Sequence, residues 1–296
     1  MYIADEWLTL EKEVLGKRPL ITGSVEQVRA AYQETSEMLA QLFPSPDSYN
    51  VVDHKEVTDS GIAIRVYTPE ETEPGTSLPH ANVIIAQVDF RLAPEYPIPT
   101  QVNDCFDAYK WCYVNASKLG GDPKRFFSIG SSLGGTAAVG VALKLIDENL
   151  GHMVSGIAVL CPALLHPECV PDEYIAMFKS YEENWTCAPL QDGQSMMLFY
   201  GHNNGTIQRA NPYAFPCLHP GIPRLPPVYQ AICEADPVRD DSTVFRHQLD
   251  KCGIRNHFHT YPGMPHYFWL FPQLPSSEMF HRNVVEGVKW VLSQME

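Results

Sequence analysis

The chain has 296 residues, 45% of them hydrophobic and 19% charged, enough for one large α/β domain or two small ones. No composition break, low-complexity tract or internal repeat divides it, so one domain with insertions is favoured over two. A formal charge of −14 argues against nucleic acid and anionic membrane surfaces as partners, and no run approaches a membrane span.

Residues 6–18 and 24–43 read as amphipathic helices. Val25, Val28, Ala31, Tyr32, Met38, Leu39 and Leu42 mark one apolar face of the second, and Ser24 with Gln27 forms a capping box. Val51–Val57 and Ile62–Tyr67 alternate around Asp59-Ser60-Gly61, a β-hairpin pattern. The near-continuous apolar run Val83–Val88 predicts a strand buried on both faces. Asp104–Ser117 is helical, Phe126–Gly130 and Gly156–Cys161 are strands, and residues 166–215 are aromatic-rich without a βαβ rhythm. Pro227–Cys233 (strand), Ser242–Cys252 (helix), His257–Tyr261 (strand) and Val284–Met295 (helix) complete the chain. Alternating strands and helices imply a mostly parallel sheet covered on both faces, with its active site beyond the carboxyl ends of the strands.

Within that frame, Gly130-Ser131-Ser132-Leu133-Gly134 lies between a buried strand and a helix of small residues. A bare G-x-S-x-G arises by chance in roughly one such chain in ten, so the flanks carry the argument. Strand, G-x-S-x-G, helix is the context of a nucleophile elbow, which lifts Ser132 above the sheet edge. The glycines two residues to either side of Ser132 leave room for strand and helix to close on the turn. Without those flanks the pentapeptide reads equally as a glycine-rich, anion-binding turn. A serine nucleophile needs a base, and the base an orienting acid, in the chain order Ser, Asp/Glu, His. Asp236 follows the strand ending at Cys233, just ahead of a proline. His266 follows the strand ending at Tyr261. Glu234, Asp240 and Asp241 compete with Asp236 but suit solvated loop or capping roles. His257 and His259 sit inside a strand, where packing is expected, while His219, His247 and His281 have no comparable context.

These residues carry a resemblance. Asp89-Phe90-Arg91-Leu92-Ala93-Pro94-Glu95, Gly130–Gly135, Asp236-Pro237-Val238-Arg239-Asp240 and Pro262–Phe268 are similar to the hormone-sensitive-lipase-like branch of the α/β-hydrolases, over roughly residues 50–296. The resemblance implies an α/β-hydrolase domain spanning 1–296, with 1–45 and roughly 166–215 forming a helical cap. It implies Ser132 as nucleophile, Asp236 as acid, His266 as base, the Leu133 N–H as an oxyanion donor, and Arg91 and Glu95 as structural residues. Leu133 stands where a small residue is usual and should narrow the site. The family's His-Gly-Gly-Gly oxyanion loop has no counterpart: only Pro69–Asn82, with Gly75 and His80, separates two predicted strands. A strand, the glycine loop and a helix are missing, which implies a shortened N-terminal part of the sheet. Losing one oxyanion donor typically costs about 2.7–4 kcal/mol.

Three readings follow: a weak esterase with a rebuilt oxyanion hole, a hydrolase-like protein that binds without turnover, and a shortened product that folds poorly. The leading one is a serine carboxylic-ester hydrolase acting on a small acylated molecule, with transfer or lactonase outcomes open to the same residues. Relatives of this kind serve in fungal secondary metabolism. Met177, Phe178, Tyr181, Trp185, Met196, Met197, Phe199 and Tyr200 suit either an apolar acyl pocket or plain cap-to-core packing. No metal or organic cofactor is expected. The N-terminus lacks signal-peptide features, and the eight cysteines form no C-x-x-C pair; both point to a cytoplasmic protein.

Overall fold

A computed structural model describes residues 1–42, 49–69, 81–204 and 206–295. Its centre is four parallel strands in the order β4 (Phe127–Ser131), β5 (Gly156–Leu160), β6 (Val228–Ala235) and β7 (Asn256–Pro265). Parallel neighbours need crossovers. Helices α4 (Leu133–Asp147) and α7 (Arg239–Lys251) supply two of them. The third, from β5 to β6, is the long irregular segment carrying α5 (Ser180–Glu183) and α6 (Gly193–His202).

Both faces of β5 and β6 are covered, which explains the unbroken apolar run of β5; in β6 the buried Gln230 interrupts the apolar residues. Ile157 and Val159 pack against Val139, Leu143, Val244 and Phe245 of α4 and α7. Ala158, Tyr229, Ala231 and Cys233 face the opposite way, toward Phe280, Val284 and Val291 of α8 (Pro275–Ser293). That closing helix starts nine residues earlier than the apolar run at Val284 suggests. Pro275 occupies its first turn, where a missing N–H costs nothing.

The N-terminal strands form a second sheet. β1 (Tyr49–His54), β2 (Ala63–Pro69) and β3 (Ile85–Asp89) pair antiparallel in that order. The expected hairpin is present; the strand expected to be buried on both faces is not. β3 is half-buried or exposed along its length, because among the described residues it pairs with β2 alone and shares no ladder with β4. A cavity of about 960 Å³ lies between β3 and β4, with Ile85–Val88 on one bank and Phe127–Ile129 on the other. The predicted linker residues 70–80, including Gly75 and His80, lie outside the described residues.

Arg91 follows β3 and ties it to α3 (Thr100–Asn115). Its guanidinium and its own N–H donate to the buried Asp104 carboxylate at 2.6–3.0 Å. Glu95 instead pairs with Arg29 at the surface. The first predicted helix divides into α1 (Asp5–Leu10) and a π-helical turn ending at Gly16. Trp7 of α1 meets Phe271 edge-on at 5.2 Å, and Ala4 N–H donates to Gly263 O. Gly263 has φ +66°, and a Cβ there would come within 2.5 Å of Ala4 N, so glycine is required. Helix α2 (Val25–Leu42) starts with the predicted box: Ser24 N–H donates to Gln27 Oε1 at 2.8 Å, and Gln27 N–H to Ser24 Oγ at 3.4 Å. The N-terminal segment touches the β5–β6 crossover through a Leu20–Leu190 bridge, Arg18 to Cys187 O, and His202 to Gly23 O. No helix among the described residues is long and apolar enough to cross a membrane.

Candidate active site

Ser132 occupies the bend between β4 and α4 with φ 51° and ψ −123°, a conformation that is strained for any residue with a side chain. Hydrogen bonds on both sides hold it there. Ser132 N–H donates to Leu160 O at 2.9 Å, Thr136 N–H donates to Ser132 O at 3.0 Å, and the Thr136 hydroxyl bonds Ala163 O. Crowding at the bend revises the expected glycine roles. A Cβ at Gly130 would lie 2.1 Å from Gly134 O, and one at Gly135 would lie 2.8 Å from Pro162 Cβ. One at Gly134 meets nothing within 4 Å. Gly130 and Gly135, rather than the second glycine of the motif, let strand and helix close. Leu133, expected to narrow the site, is 40% exposed. Its N–H opens helix α4, where the first amides lack intrahelical acceptors.

The pairing of β6 with β7 brings Asp236 to His266. Ala235 stands opposite Pro265, so the next residues, Asp236 and His266, leave the two strand ends side by side. His266 Nδ1–H donates to Asp236 Oδ2 at 2.6 Å, and Val238 N–H donates to Asp236 Oδ1 at 3.0 Å. Both side chains are fully buried, and His266 Nε2 has no hydrogen-bond partner among the described residues. Burial alone would lower the pKa of His266, but the Asp236 charge and the Cys161 thiol lift it well above the ordinary imidazole value.

Two neighbours carried no role in the sequence reading. Cys161 follows β5, its N–H donating to Ala231 O, and its Sγ lies within 4.8 Å of a His266 nitrogen and an Asp236 oxygen. Burial pushes this thiol up, but a hydrogen bond with Cys233 and the His266 charge bring it down to about 7. Tyr267 meets the His266 ring edge-on at 4.4 Å. Burial raises the Tyr267 phenol, keeping it protonated, and its hydroxyl sits beside the side chains of Ser131 and Ser132. Cys161 belongs to no sequence motif, and Tyr267 lies in the matched Pro262–Phe268 stretch without a role assigned to it there. Each acquires its position from contacts between strand ends.

The competing carboxylates depart from expectation. Asp240 and Asp241 are buried rather than solvated. Asp241 Oδ1 accepts from Leu164 and Leu165 N–H, each at 2.8 Å, while Asp240 accepts from Lys179 and Ser180 N–H at 2.6 and 2.7 Å. They tie the β5–β6 crossover to α7, because buried amides of irregular chain require acceptors. Glu234 is half-buried within β6. His219 bonds Asp147 at 3.0 Å, and His247 and His281 are exposed on α7 and α8. In the crossover, Tyr181 and Tyr200 are buried with hydroxyls 3.0 Å apart, Met196 is buried, and Trp185 is exposed. Among the described residues two sets of side chains could hold a metal ion: Cys161, Asp236 and His266, and separately His257, His259 and Glu286.

A family model described as alpha/beta hydrolase fold matches residues 76–270. A versiconal hemiacetal acetate esterase of Dothistroma septosporum is 35% identical, covering 99% of this chain and 96% of the relative. That alignment runs over 320 positions, so the relative has residues with no counterpart among the 296 of this chain. An AB hydrolase superfamily protein of Schizosaccharomyces pombe is 30% identical over 96% of this chain and 94% of its own. Among solved structures, a vibralactone cyclase superposes with a TM-score of 0.88 at 24% identity, covering 99% of this chain and 96% of that one. A Pyrobaculum calidifontis esterase gives 0.80 at 24% identity, covering 97% and 98%. At these identities the structural likeness shows the fold.

Proposed function

The chain belongs to the α/β-hydrolase fold family, and on that premise we propose a serine carboxylic-ester hydrolase with Ser132 as nucleophile, His266 as general base and Asp236 as orienting acid. The observation that carries the reading is the buried 2.6 Å bond between His266 and Asp236, which leaves Nε2 without a partner. With Nδ1–H committed to Asp236, the Nε2 lone pair is free to take the proton of Ser132 as Oγ attacks the ester carbonyl carbon. The imidazolium then returns that proton to the departing alcohol. Water repeats the sequence on the acyl-enzyme and releases the acid.

Charge on the tetrahedral oxygen needs donors. The Leu133 N–H at the start of α4 is one, and we assign the protonated Tyr267 hydroxyl, beside Ser132, as a second. Two such donors constitute a rebuilt and weaker oxyanion hole, in keeping with a chain that lacks the His-Gly-Gly-Gly motif and is shorter than its alignment with a relative. Residues 1–42 and the crossover, joined at Leu20–Leu190, serve as the cap. The substrate is a small neutral acylated metabolite. The names of two relatives, both versiconal hemiacetal acetate esterases, favour an acetate ester from a secondary-metabolite pathway. Scattered cysteines without C-x-x-C pairs support a cytoplasmic setting.

The cavity between β3 and β4 favours one rival, a folded scaffold that binds an ester without turning it over. A fluorophosphonate probe separates the two. Labelling at Ser132 that vanishes in Ser132→Ala and falls sharply in His266→Ala is expected. Tyr267→Phe should slow p-nitrophenyl acetate turnover by about 10²-fold, the typical loss of one oxyanion donor. A cooperatively melting protein that binds ligand yet never labels supports the rival. A melt without cooperativity supports a shortened product that folds poorly.

A further inference from the structure

His257 and His259 alternate along β7, so the two-residue period of a strand turns both imidazoles to one face. That face is covered by α8, and Glu286 reaches across from the helix. One ligating atom from each of the three residues lies within 4.8 Å of the other two. The close approach has a visible cause. Gly287 has no side chain, and a Cβ there would come 2.4 Å from the Tyr229 ring, so α8 rests directly on the sheet. Because β7 is the last strand, the two histidines are half-buried and Glu286 stays exposed, leaving the trio open to solvent ions.

We propose that His257, His259 and Glu286 form a binding site for a borderline divalent transition ion, zinc(II) in the first instance, that bridges β7 and α8. Two imidazoles and a carboxylate match the ligand preference of zinc and not the all-oxygen shells of calcium or magnesium. Tetrahedral bonds of 2.0–2.1 Å place donors about 3.3 Å apart, a closure that rotation of the exposed Glu286 side chain can supply; water completes the shell. The rings are already oriented. The His259 Nδ1 is 3.1 Å from the Tyr229 hydroxyl, and Trp290 packs 5.5 Å from the His257 ring. Burial and the neighbouring His257 lower the pKa of His259, which favours the neutral, ligating ring. The chain's formal charge of −14 adds a general attraction for cations. The site is independent of the ester chemistry: Ser132, Asp236 and His266 take no part in it.

The test uses the full chain stripped with a chelator, titrated with zinc chloride by calorimetry and melted with and without the ion. One site is expected, with a melting temperature that rises with zinc. Its affinity should fall at least tenfold in His259→Ala and in the conservative surface variant Glu286→Gln, while metal-free labelling of Ser132 stays at the parent rate in both. Cobalt(II) should bind without a thiolate charge-transfer band, since the trio contains no sulfur. Unchanged zinc affinity in Glu286→Gln and His259→Ala overturns the proposal. So does a thiolate band, which would move the ion to a cysteine such as Cys161.

Discussion

Replacing single glycines at the elbow tests whether the bend around Ser132 closes as described. In Gly130→Ala the new methyl would sit 2.1 Å from Gly134 O, 2.3 Å from Gly134 C and 2.8 Å from Gly135 N. All three are backbone atoms, so no side chain can swing aside, and the bend must open by about 1 Å. Overpacking of this kind costs about 1–3 kcal/mol, or roughly 2–10 °C in melting temperature for a chain of this size. Displacing the reactive hydroxyl by a similar distance costs about 10²-fold in rate. Gly134→Ala provides the control, because its methyl meets nothing within 4 Å in the first turn of α4. Lower unfolded-state entropy should then stabilise it by about 0.5–1 kcal/mol, with labelling near the parent rate. Second-order labelling constants and circular-dichroism melts measure both. The reasoning is refuted if Gly130→Ala matches the parent in both readouts, or if Gly134→Ala is as damaged as Gly130→Ala.

Protonation and the Arg91 anchor give two further expectations. Labelling requires neutral His266, and Asp236 lifts its folded pKa, so the rate should rise with pH through an inflection above the ordinary value of about 6.5. The same lift stabilises the fold most fully below about pH 6.5, and that contribution is lost as pH climbs through the folded value. Asp236→Asn should bring the inflection down and cut the neutral-pH rate by up to about 10⁴-fold; an unmoved inflection in a pH–rate series contradicts the pairing. Arg91→Leu strands the Asp104 carboxylate, which is 1% exposed, and should cost about 3 kcal/mol in a urea melt. Adding Asp104→Leu should recover part of that loss, and an equally destabilised double variant argues against the ion pair.

What could be read from the amino acids was mostly local. The elbow strand, the bend and the small-residue helix follow from the consecutive residues Phe126 to Leu143. The alternation of strands with helices announces a sheet covered on both sides. Other features depend on partners far along the chain. Asp240 and Asp241 look like solvated charges until Leu164, Leu165, Lys179 and Ser180 present unpaired amides from 60 to 77 residues away. The meeting of Asp236 with His266 rests on the Ala235–Pro265 register, which no local pattern encodes. The run at Val83–Val88 is apolar enough for an interior strand, yet burial depends on a second neighbour, which β3 lacks among the described residues. Cys161 carried no signal and Tyr267 only its place in the Pro262–Phe268 stretch, because their surroundings are assembled from separate strand ends.

The division between β3 and β4 separates enclosure from reaction. Every side chain assigned to bond making or breaking lies on or just beyond β4, β6 and β7, and the antiparallel ribbon supplies none. The cavity between the ribbon and β4 is lined by neither Ser132 nor His266, so loosening of the ribbon reshapes that cavity before it disturbs the proton path. The two halves are free to be tuned separately, one for what is admitted and the other for what is done to it.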